Sequence, residues 1–182
     1  MHPMTVSNLQ SAFSGESQAH MRYLIYAGRA EKEGFSNVAR LFRAIAWAEE
    51  IHATNHFTVM RGEEGDALTA AMAGFGLSST AENLGVAIDG ENFEVHEMYP
   101  AYKAVAEEQE ERGALHTFDW AWQAEQTHAA LYAEAQEAVE EGEDCDMGAI
   151  NVCSRCGHTL IGEAPDRCPI CNAKKEMYRR FD

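Results

Sequence analysis

The apolar residues of this chain recur at helical spacing in four long segments. Within each segment they fall three or four positions apart, which is the period of one face of an α-helix. Short breaks that contain glycine separate the first segment from the second and the third from the fourth. The pattern therefore predicts four helices, at Thr5–Glu33, Ser36–Arg61, Ser79–Glu111 and Ala114–Glu141.

Residues typical of helix ends mark these limits. Ser36 is expected to cap the second helix, and Ser79 with Glu82 forms the pattern of a capping box at the third. Gly113 is expected to break the helical pattern between the third and fourth helices. Pro100 lies inside the third helix, where we expect it to kink the backbone.

The lengths of the connections predict how the helices are arranged. Two tight connections make each neighbouring pair an antiparallel hairpin, and the longer stretch 65–78 suits a crossover along the bundle. The expected fold for residues 1–141 is an all-α four-helix bundle, ferritin-like, with a long crossover. Residues 142–150 are polar and acidic and predict a linker, while residues 151–182 are too few to build an apolar core unaided.

Two short motifs place charge where an apolar residue is expected. Glu49 and His52 lie one helical turn apart on the apolar stripe of their helix, and Glu125 and His128 repeat this arrangement. An ionised carboxylate in a bundle core costs several kcal/mol unless it is paired or bound to a metal. Two such motifs on two helices therefore predict a metal site.

In every helix the apolar stripe becomes acidic at a middle turn. Antiparallel packing would bring these turns to one level, where five carboxylates and two imidazoles would meet. Such a set of oxygen and nitrogen donors, shared between two cations, matches a di-iron or di-manganese centre. The alternative is that the glutamates lie on solvated helix faces. The predicted ligands are Glu16, Glu49, His52, Glu91, Glu94, Glu125 and His128.

Other polar residues on the inner faces are weaker candidates. His20 and His56 are interpreted either as partners of the ligands or as plain core residues. The second half of the bundle repeats the first at a spacing of 76 residues, which pairs Tyr23 with Tyr99 and one Glu-x-x-His motif with the other. This relation makes Tyr23 and Tyr99 the expected hydrogen-bond partners of the inner carboxylates.

The C-terminal segment contains two Cys-x-x-Cys loops. Two loops of this kind bring four thiolates together as a tetrahedral metal site, which would stabilise so short a segment. Zinc and iron both accept four thiolates, so a structural zinc ribbon and a redox-active iron site stay open on spacing alone. Cys145 lies outside the pattern and is expected to be a free thiol. The predicted ligands are Cys153, Cys156, Cys168 and Cys171.

Composition and charge exclude several classes of partner. The 182 residues carry a formal net charge of −16, so no basic surface is available for nucleic acid or for an anionic membrane. No apolar run approaches the roughly 20 residues of a membrane span. The first ten residues lack the features of a signal peptide, so we expect a cytoplasmic protein whose cysteines are not in disulfides.

Taken together, the motifs resemble those of the rubrerythrin family over essentially the whole chain. The resemblance implies a ferritin-like bundle with a non-haem di-iron site, followed by a rubredoxin-like domain with one iron in the four-cysteine site. The matching motifs are Gly15-Glu16-Ser17-Gln18-Ala19, Glu49-Glu50-Ile51-His52, Gly90-Glu91-Asn92-Phe93-Glu94, Met98-Tyr99-Pro100, Glu125-Gln126-Thr127-His128, Cys153-Ser154-Arg155-Cys156-Gly157 and Cys168-Pro169-Ile170-Cys171.

The resemblance also implies a role for each ligand. Glu49 and Glu125 would bridge the two irons. Terminal ligands would be Glu16, Glu91 and His128, and one iron would exchange His52 for Glu94 as its redox state changes. The residues expected to take part in catalysis are Glu49, Glu125, Glu94, His52, Tyr23 and Tyr99.

Members of this family reduce hydrogen peroxide to water, and the resemblance implies that activity here. Electrons would come from an external donor, either an NAD(P)H-linked reductase or rubredoxin, and would enter through the four-cysteine iron. We expect the linker and a bundle about 40 Å long to keep the two centres apart within one chain. A head-to-tail homodimer, typical of the family, would bring them together. The alternatives are a ferroxidase and an iron-storage or structural metalloprotein.

Overall fold

Five α-helices and one π-helical turn make up the bundle in the computed structural model, which describes all 182 residues. The π-helical turn joins α3 to α4, so together they form the third of four bundle helices, as predicted. None of the helices combines the length and hydropathy that a membrane span requires. The elements are α1 (Pro3–Glu33), α2 (Ser36–Val59), α3 (Thr80–Phe93), the π-helical turn (Glu94–Met98), α4 (Tyr99–Glu108) and α5 (Arg112–Glu140).

Helices α1 and α2 form an antiparallel hairpin. Phe13 in the first half of α1 packs against Phe57 at the end of α2, with ring centroids 5.2 Å apart. Near the other end of the hairpin, the Arg43 guanidinium lies 3.0 Å from the Glu31 carboxylate. Residues 60–79 then cross over along α1, where the Ser11 hydroxyl donates to the carbonyl oxygen of Ala70 at 3.1 Å. The predicted crossover is therefore present.

The start of α2 is capped by a distant residue. Ser36 was expected to be the cap, but it is the first helical residue and makes no capping hydrogen bond. The Asp144 carboxylate instead accepts from the backbone N–H groups of Asn37 and Val38, at 2.8 and 3.2 Å. A carboxylate at a helix N-terminus satisfies free N–H groups and interacts favourably with the helix dipole. The prediction for Ser36 is wrong because Asp144, brought in by the tertiary fold, takes this role.

The other helix limits depend on local residues. At α3 the capping box is confirmed, since Ser79 accepts from the Glu82 backbone and Glu82 accepts from the Ser79 backbone. Gly113 does not break the helical pattern as expected, because it lies in the first turn of α5. The chain reverses instead at Glu110, whose φ of 56° lies in the left-handed region.

A π-helical turn, rather than a simple kink, precedes Pro100. Proline has no N–H to donate and its ring crowds the preceding turn. The N–H of Tyr99 donates to the carbonyl oxygen of Glu94, five residues earlier, so the Val95 carbonyl loses its helical donor. The indole N–H of Trp122 on α5 donates to that carbonyl at 3.0 Å. This contact ties the irregular turn to the neighbouring helix.

Two apolar clusters fill the bundle, one on each side of its middle. The larger cluster includes Tyr23, Phe42 and Tyr132, and the smaller one includes Leu9 and Phe118. All five side chains are at most 1% exposed. The glutamates and histidines of the inner faces lie between the clusters, so the fold surrounds them with water-excluding surface on both sides.

The C-terminal segment forms a three-stranded antiparallel sheet. Its strands are β1 (Ile150–Cys153), β2 (Thr159–Ile161) and β3 (Tyr178–Phe181), in the order β2-β1-β3. A 3-10 turn, Lys175–Met177, leads into β3. The predicted small metal ribbon is thus present. The domain limits at residues 141 and 150 stay a prediction.

Glu33 connects the end of α1 to the start of α3. Its carboxylate accepts from the backbone N–H and the hydroxyl of Thr80, at 2.8 and 2.5 Å, and pairs with Arg29 at 2.7 Å. The hydroxyl of Thr80 is the main cause that lowers the pKa of Glu33 below 4.5. A lowered pKa in the folded state means that the ionised carboxylate stabilises the fold.

We expect Glu33→Gln to lower the free energy of unfolding by about 1 kcal/mol at pH 7, because the charge-assisted hydrogen bonds are lost. The loss should shrink as the pH falls through the folded-state pKa of Glu33, where wild-type Glu33 also becomes neutral. Urea denaturation of the metal-free protein, at several pH values, measures both effects. Glu31→Gln is the control, since the exposed Glu31 carboxylate should contribute less than about 0.5 kcal/mol. Equal losses in the two variants would show that the hydrogen bonds of Glu33 to Thr80 do not stabilise the fold.

Candidate metal centre

Six of the seven predicted bundle ligands meet in the middle of the bundle, where all six are buried. They form two groups of four, and within each group the ligand atoms lie within 4.8 Å of one another. Glu49 and Glu125 belong to both groups. Two metal positions that share two carboxylates are what a carboxylate-bridged dinuclear centre requires. The groups are Glu16, Glu49, His52 and Glu125, and Glu49, Glu91, Glu125 and His128.

Both imidazoles point the same nitrogen towards the carboxylates. Nδ1 of His52 lies 2.9 Å from Glu49 and 2.8 Å from Glu125. Nδ1 of His128 lies 2.6 Å from Glu125 and 3.3 Å from Glu49. The two rings are stacked, with centroids 5.9 Å apart. The arrangement leaves both Nε2 atoms on the far side of the rings, free to contact other parts of the chain.

The chemistry of this donor set fits two cations. One buried oxygen each of Glu16 and Glu91 makes no hydrogen bond. Each histidine Nδ1 lies near both Glu49 and Glu125 but carries at most one proton, so one oxygen of each of these two carboxylates is also left without a hydrogen bond. Such groups are costly unless something else compensates them. Burial, followed by the charges of Glu49 and Glu125, raises the pKa of Glu91 to about 8. Metal ions would supply both the missing partners and the missing positive charge.

Glu94 is the predicted ligand that lies outside both groups. It is the first residue of the π-helical turn and is half-buried. Its pKa is raised, first by burial and then by the charge of Glu16. Since His52 already belongs to one group, the structure contains the histidine member of the expected His52–Glu94 exchange. The exchange itself stays a prediction.

Two tyrosines donate hydrogen bonds to the inner carboxylates. The Tyr23 hydroxyl donates to Glu91 at 2.5 Å, and the Tyr99 hydroxyl donates to Glu16. Burial raises the pKa of both phenols, so both stay protonated. The two tyrosines that the 76-residue repeat relates thus make equivalent contacts, and each phenolic proton lies next to a candidate ligand.

His56 lies directly behind Tyr99. Its Nε2 is 2.9 Å from the Tyr99 oxygen, and its Nδ1 is 3.1 Å from the hydroxyl oxygen of Thr117. Burial lowers the pKa of His56 to about 3, so the ring is neutral. From the sequence, His56 could be either a partner of the metal ligands or a plain core residue. It gave no signal for Thr117, because a threonine on a helix is common.

The four cysteines of the two Cys-x-x-Cys loops come together at the edge of the sheet. Their sulfur atoms lie within 4.8 Å of one another, and the closest pairs are 3.5 and 3.7 Å apart. These distances are too long for disulfide bonds and suit four thiolates around one metal. Cys145 lies elsewhere as a free, buried thiol, as expected. The clustered residues are Cys153, Cys156, Cys168 and Cys171.

The first cysteine loop packs directly on the bundle centre of its own chain. Nε2 of His52 lies 3.1 Å from the carbonyl oxygen of Cys156, and the Asn55 amide donates to the carbonyl oxygen of Arg155 at 2.9 Å. Nε2 of His128 lies 2.9 Å from the hydroxyl of Thr159. The expectation that one chain holds its two centres apart is therefore wrong. The segment after α5 folds back, because residues near Met147 join the bundle core.

A glycine makes this close contact possible. A Cβ atom at Gly157 would lie 2.1 Å from Nε2 of His52, and the φ of Gly157 is 80°. Only glycine suits both conditions. Sequence reasoning assigned neither Gly157 nor Thr159 to the site. No local signal could have done so, because their roles arise from the packing of one unit on the other.

These features define a class of protein. A four-helix bundle with two metal positions that share two carboxylates, carrying a four-cysteine metal unit, is a ferritin-like dinuclear metalloprotein with an attached thiolate-metal domain.

Comparisons with known proteins give the family. A family model for rubrerythrin matches residues 7–136, and a model for the rubrerythrin rubredoxin-like domain matches residues 152–179. Rubrerythrin-2 of Clostridium acetobutylicum is 44% identical over 178 residues, which are 98% of this chain and 97% of that protein. The chain belongs to the rubrerythrin family. The bundle centre is therefore a di-iron site, and the four-cysteine cluster is a rubredoxin-like site.

A second relative supports the whole-chain match. Nigerythrin of Nitratidesulfovibrio vulgaris is 32% identical over 177 residues, which cover 97% of this chain and 86% of that protein. The structure of nigerythrin in its fully reduced, all-ferrous state superimposes with a TM-score of 0.86, over 97% of this chain and 86% of that one. The similarity thus includes the bundle and the C-terminal segment.

We expect Glu125→Ala to abolish metal binding in the bundle, because Glu125 belongs to both ligand groups. The four-cysteine site shares no ligand with it, so its iron should stay. Iron analysis should then find about one iron per chain instead of about three, with the red colour of the thiolate iron retained. Glu137→Ala, at an exposed position of the same helix, is the control and should bind the full amount. Unchanged bundle iron in Glu125→Ala would refute this ligand assignment.

Proposed function

We propose that this protein is a peroxidase that reduces hydrogen peroxide to water, with electrons entering through the four-cysteine iron. The observation that carries the proposal is the contact between Cys156 and His52. One hydrogen bond thus links Cys156, a ligand of the thiolate site, to His52, a ligand of the di-iron site. An iron-storage protein would have no use for such a connection.

The proposed reaction consumes two electrons and two protons and yields two waters from one peroxide. When bound, two ferrous ions supply both electrons to the O–O bond, so that no radical needs to be released. The groups that hold them would be the two carboxylate–histidine sets, with Glu49 and Glu125 shared. The tyrosines Tyr23 and Tyr99 would hold protons beside the site, since each hydroxyl already donates to a carboxylate.

The route for electrons into the site follows the same contact. A thiolate-bound iron is a one-electron carrier, so it would be reduced by an external donor and would pass electrons on singly. From the sulfur of Cys156 the path continues through the residue's own carbonyl group to the imidazole of His52. The donor is proposed to be rubredoxin or an NAD(P)H-linked reductase. The homodimer and the cytoplasmic location stay predictions.

Stopped-flow reoxidation tests the choice of oxidant. The iron-loaded protein is reduced without oxygen and then mixed either with hydrogen peroxide or with O₂, while the returning red absorbance of the thiolate iron is followed. We expect peroxide to reoxidise the protein at least about tenfold faster, since the site offers two electrons and prepositioned protons for O–O cleavage. Equal rates with the two oxidants would favour the ferroxidase alternative and refute the peroxidase.

The electron route is tested at Gly157. We expect Gly157→Ala to push the first cysteine loop off His52, because the new methyl group would overlap the imidazole. Passage of electrons from the thiolate iron should then slow on the order of tenfold or more, as small displacements at reacting groups do. Gly162→Ala is the matched control, since Gly162 also has a left-handed φ, of 95°, but open space around it. If both variants reoxidise alike, the contact does not carry the electrons.

A further inference from the structure

A buried line of hydrogen bonds leads from the di-iron site to Thr117 on α5. The Tyr99 hydroxyl donates to Glu16. Nε2 of His56 lies 2.9 Å from the Tyr99 hydroxyl oxygen, and Nδ1 of His56 lies 3.1 Å from the Thr117 hydroxyl oxygen. The first three side chains are completely buried, whereas Thr117 keeps 4% exposure. Four polar groups from four helical segments thus form one continuous line whose outermost member is the most exposed.

The direction of every proton in this line follows from the donors available. As a metal ligand Glu16 would be an ionised carboxylate, which can only accept, so the single proton of Tyr99 points to Glu16. The Tyr99 oxygen must then accept, which places the ring proton of His56 on Nε2. Nδ1 of His56 is consequently an acceptor, and it takes the hydroxyl proton of Thr117. All three donors therefore point towards the metal site.

The other half of the bundle lacks such a line. The 76-residue repeat relates Tyr99 to Tyr23, and the Tyr23 hydroxyl donates to Glu91 in the same way. The repeat also relates His56 to Tyr132, whose hydroxyl has no hydrogen-bond partner and whose ring packs on Tyr23 with centroids 5.3 Å apart. At the position equivalent to Thr117 stands Leu41, completely buried. This half is sealed by apolar and aromatic groups.

We propose that Thr117, His56 and Tyr99 form a one-sided proton relay that supplies the di-iron site through Glu16. The proposal rests on the proposed function, because peroxide reduction consumes two protons in a core from which bulk water is excluded. His56 is a positioning residue in this scheme, since it acts through Tyr99 and does not touch the reacting atoms. In the other half, Tyr23 could give its one phenolic proton to Glu91, but no neighbouring donor could replace that proton.

Each transfer in the relay is balanced and moves no electrons. Tyr99 gives its phenolic proton to the Glu16 carboxylate, and Glu16 passes that proton on to a peroxide oxygen. Tyr99 takes the Nε2 proton of His56, while Nδ1 takes the hydroxyl proton of Thr117, and Thr117 takes one from water. The ring stays neutral throughout. Rotation of the two hydroxyl groups and a flip of the imidazole restore the original directions.

The main test replaces His56 with a residue that keeps its hydrogen bonds but cannot pass a proton. In His56→Gln, the amide N–H can donate to Tyr99 and the amide oxygen can accept from Thr117. The iron-loaded, reduced variant is mixed with hydrogen peroxide in H₂O and in D₂O. We expect reoxidation at least about tenfold slower than in wild type, with a larger solvent isotope effect; this is below the roughly 100-fold lower limit for a directly acting proton donor, because His56 acts through Tyr99. Wild-type rates would overturn the relay.

Variants at the outer end and in the other half complete the test. Thr117→Val removes the outermost donor far from the metal and should slow reoxidation severalfold, while Thr117→Ser should restore it. This pair decides the question even if His56→Gln binds iron poorly. Tyr132→Phe is the matched control at the position that repeats His56, and should react at the wild-type rate. A full rate in Thr117→Val, or equal losses in Tyr132→Phe and His56→Gln, would overturn the proposal.

A spectroscopic measurement is independent of turnover. Nitrogen NMR of the protein loaded with zinc, which is diamagnetic and keeps Glu16 ionised, should show His56 as the neutral tautomer with its proton on Nε2. A proton on Nδ1 would reverse the line and overturn the relay. Failure of the proposed function is distinguishable, because wild type itself would then react no faster with peroxide than with O₂. Failure of the relay leaves the wild-type preference for peroxide intact.

Discussion

Four buried carboxylates repel one another in the middle of this bundle, and much of the fold serves to offset that repulsion. Glu16, Glu49, Glu91 and Glu125 come from four helices and each keeps one oxygen without a hydrogen bond. The protein supplies what donors it can, two imidazoles and two phenols, and these do not satisfy all eight oxygens. Apolar clusters on both sides exclude water, which strengthens every charge interaction between them. Metal binding is therefore part of what makes this core possible.

Features that depend on neighbours along the chain could be predicted from the sequence. The four helices and the capping box at Ser79 follow from periodicity and spacing. The convergence of the two Glu-x-x-His motifs follows from the same pattern once the helices pack antiparallel, because both motifs lie on apolar stripes. Individual distant contacts that leave no periodic pattern could not be predicted. Asp144 caps α2 from 107 residues away, and the reversal at Glu110 replaces the expected break at Gly113. In each case tertiary structure overrides a weak local preference.

The same distinction explains the largest error about the site. The sequence indicates a bundle and a metal ribbon, but it does not indicate how they pack together. The packing of the two units depends on Gly157, because only a residue without a Cβ lets the first cysteine loop approach Nε2 of His52. Second partners of metal-binding histidines fix the orientation of the ring. Here those partners, Cys156 and Thr159, come from the C-terminal segment, so the packing of this segment also orients both histidines.

Under the proposed function, electrons and protons would reach the site from separate faces. Both histidines direct Nε2 towards the C-terminal segment, so electrons from the thiolate iron would arrive on that face. The proposed proton relay reaches Glu16 from behind Tyr99 instead. If positions 56 and 132 held the same residue, both halves would be open or both would be sealed. In this proposal, one line of polar groups beside one set of aromatic groups would admit protons at a single carboxylate while the rest of the core stays dry, which suits a site that handles a reactive oxidant.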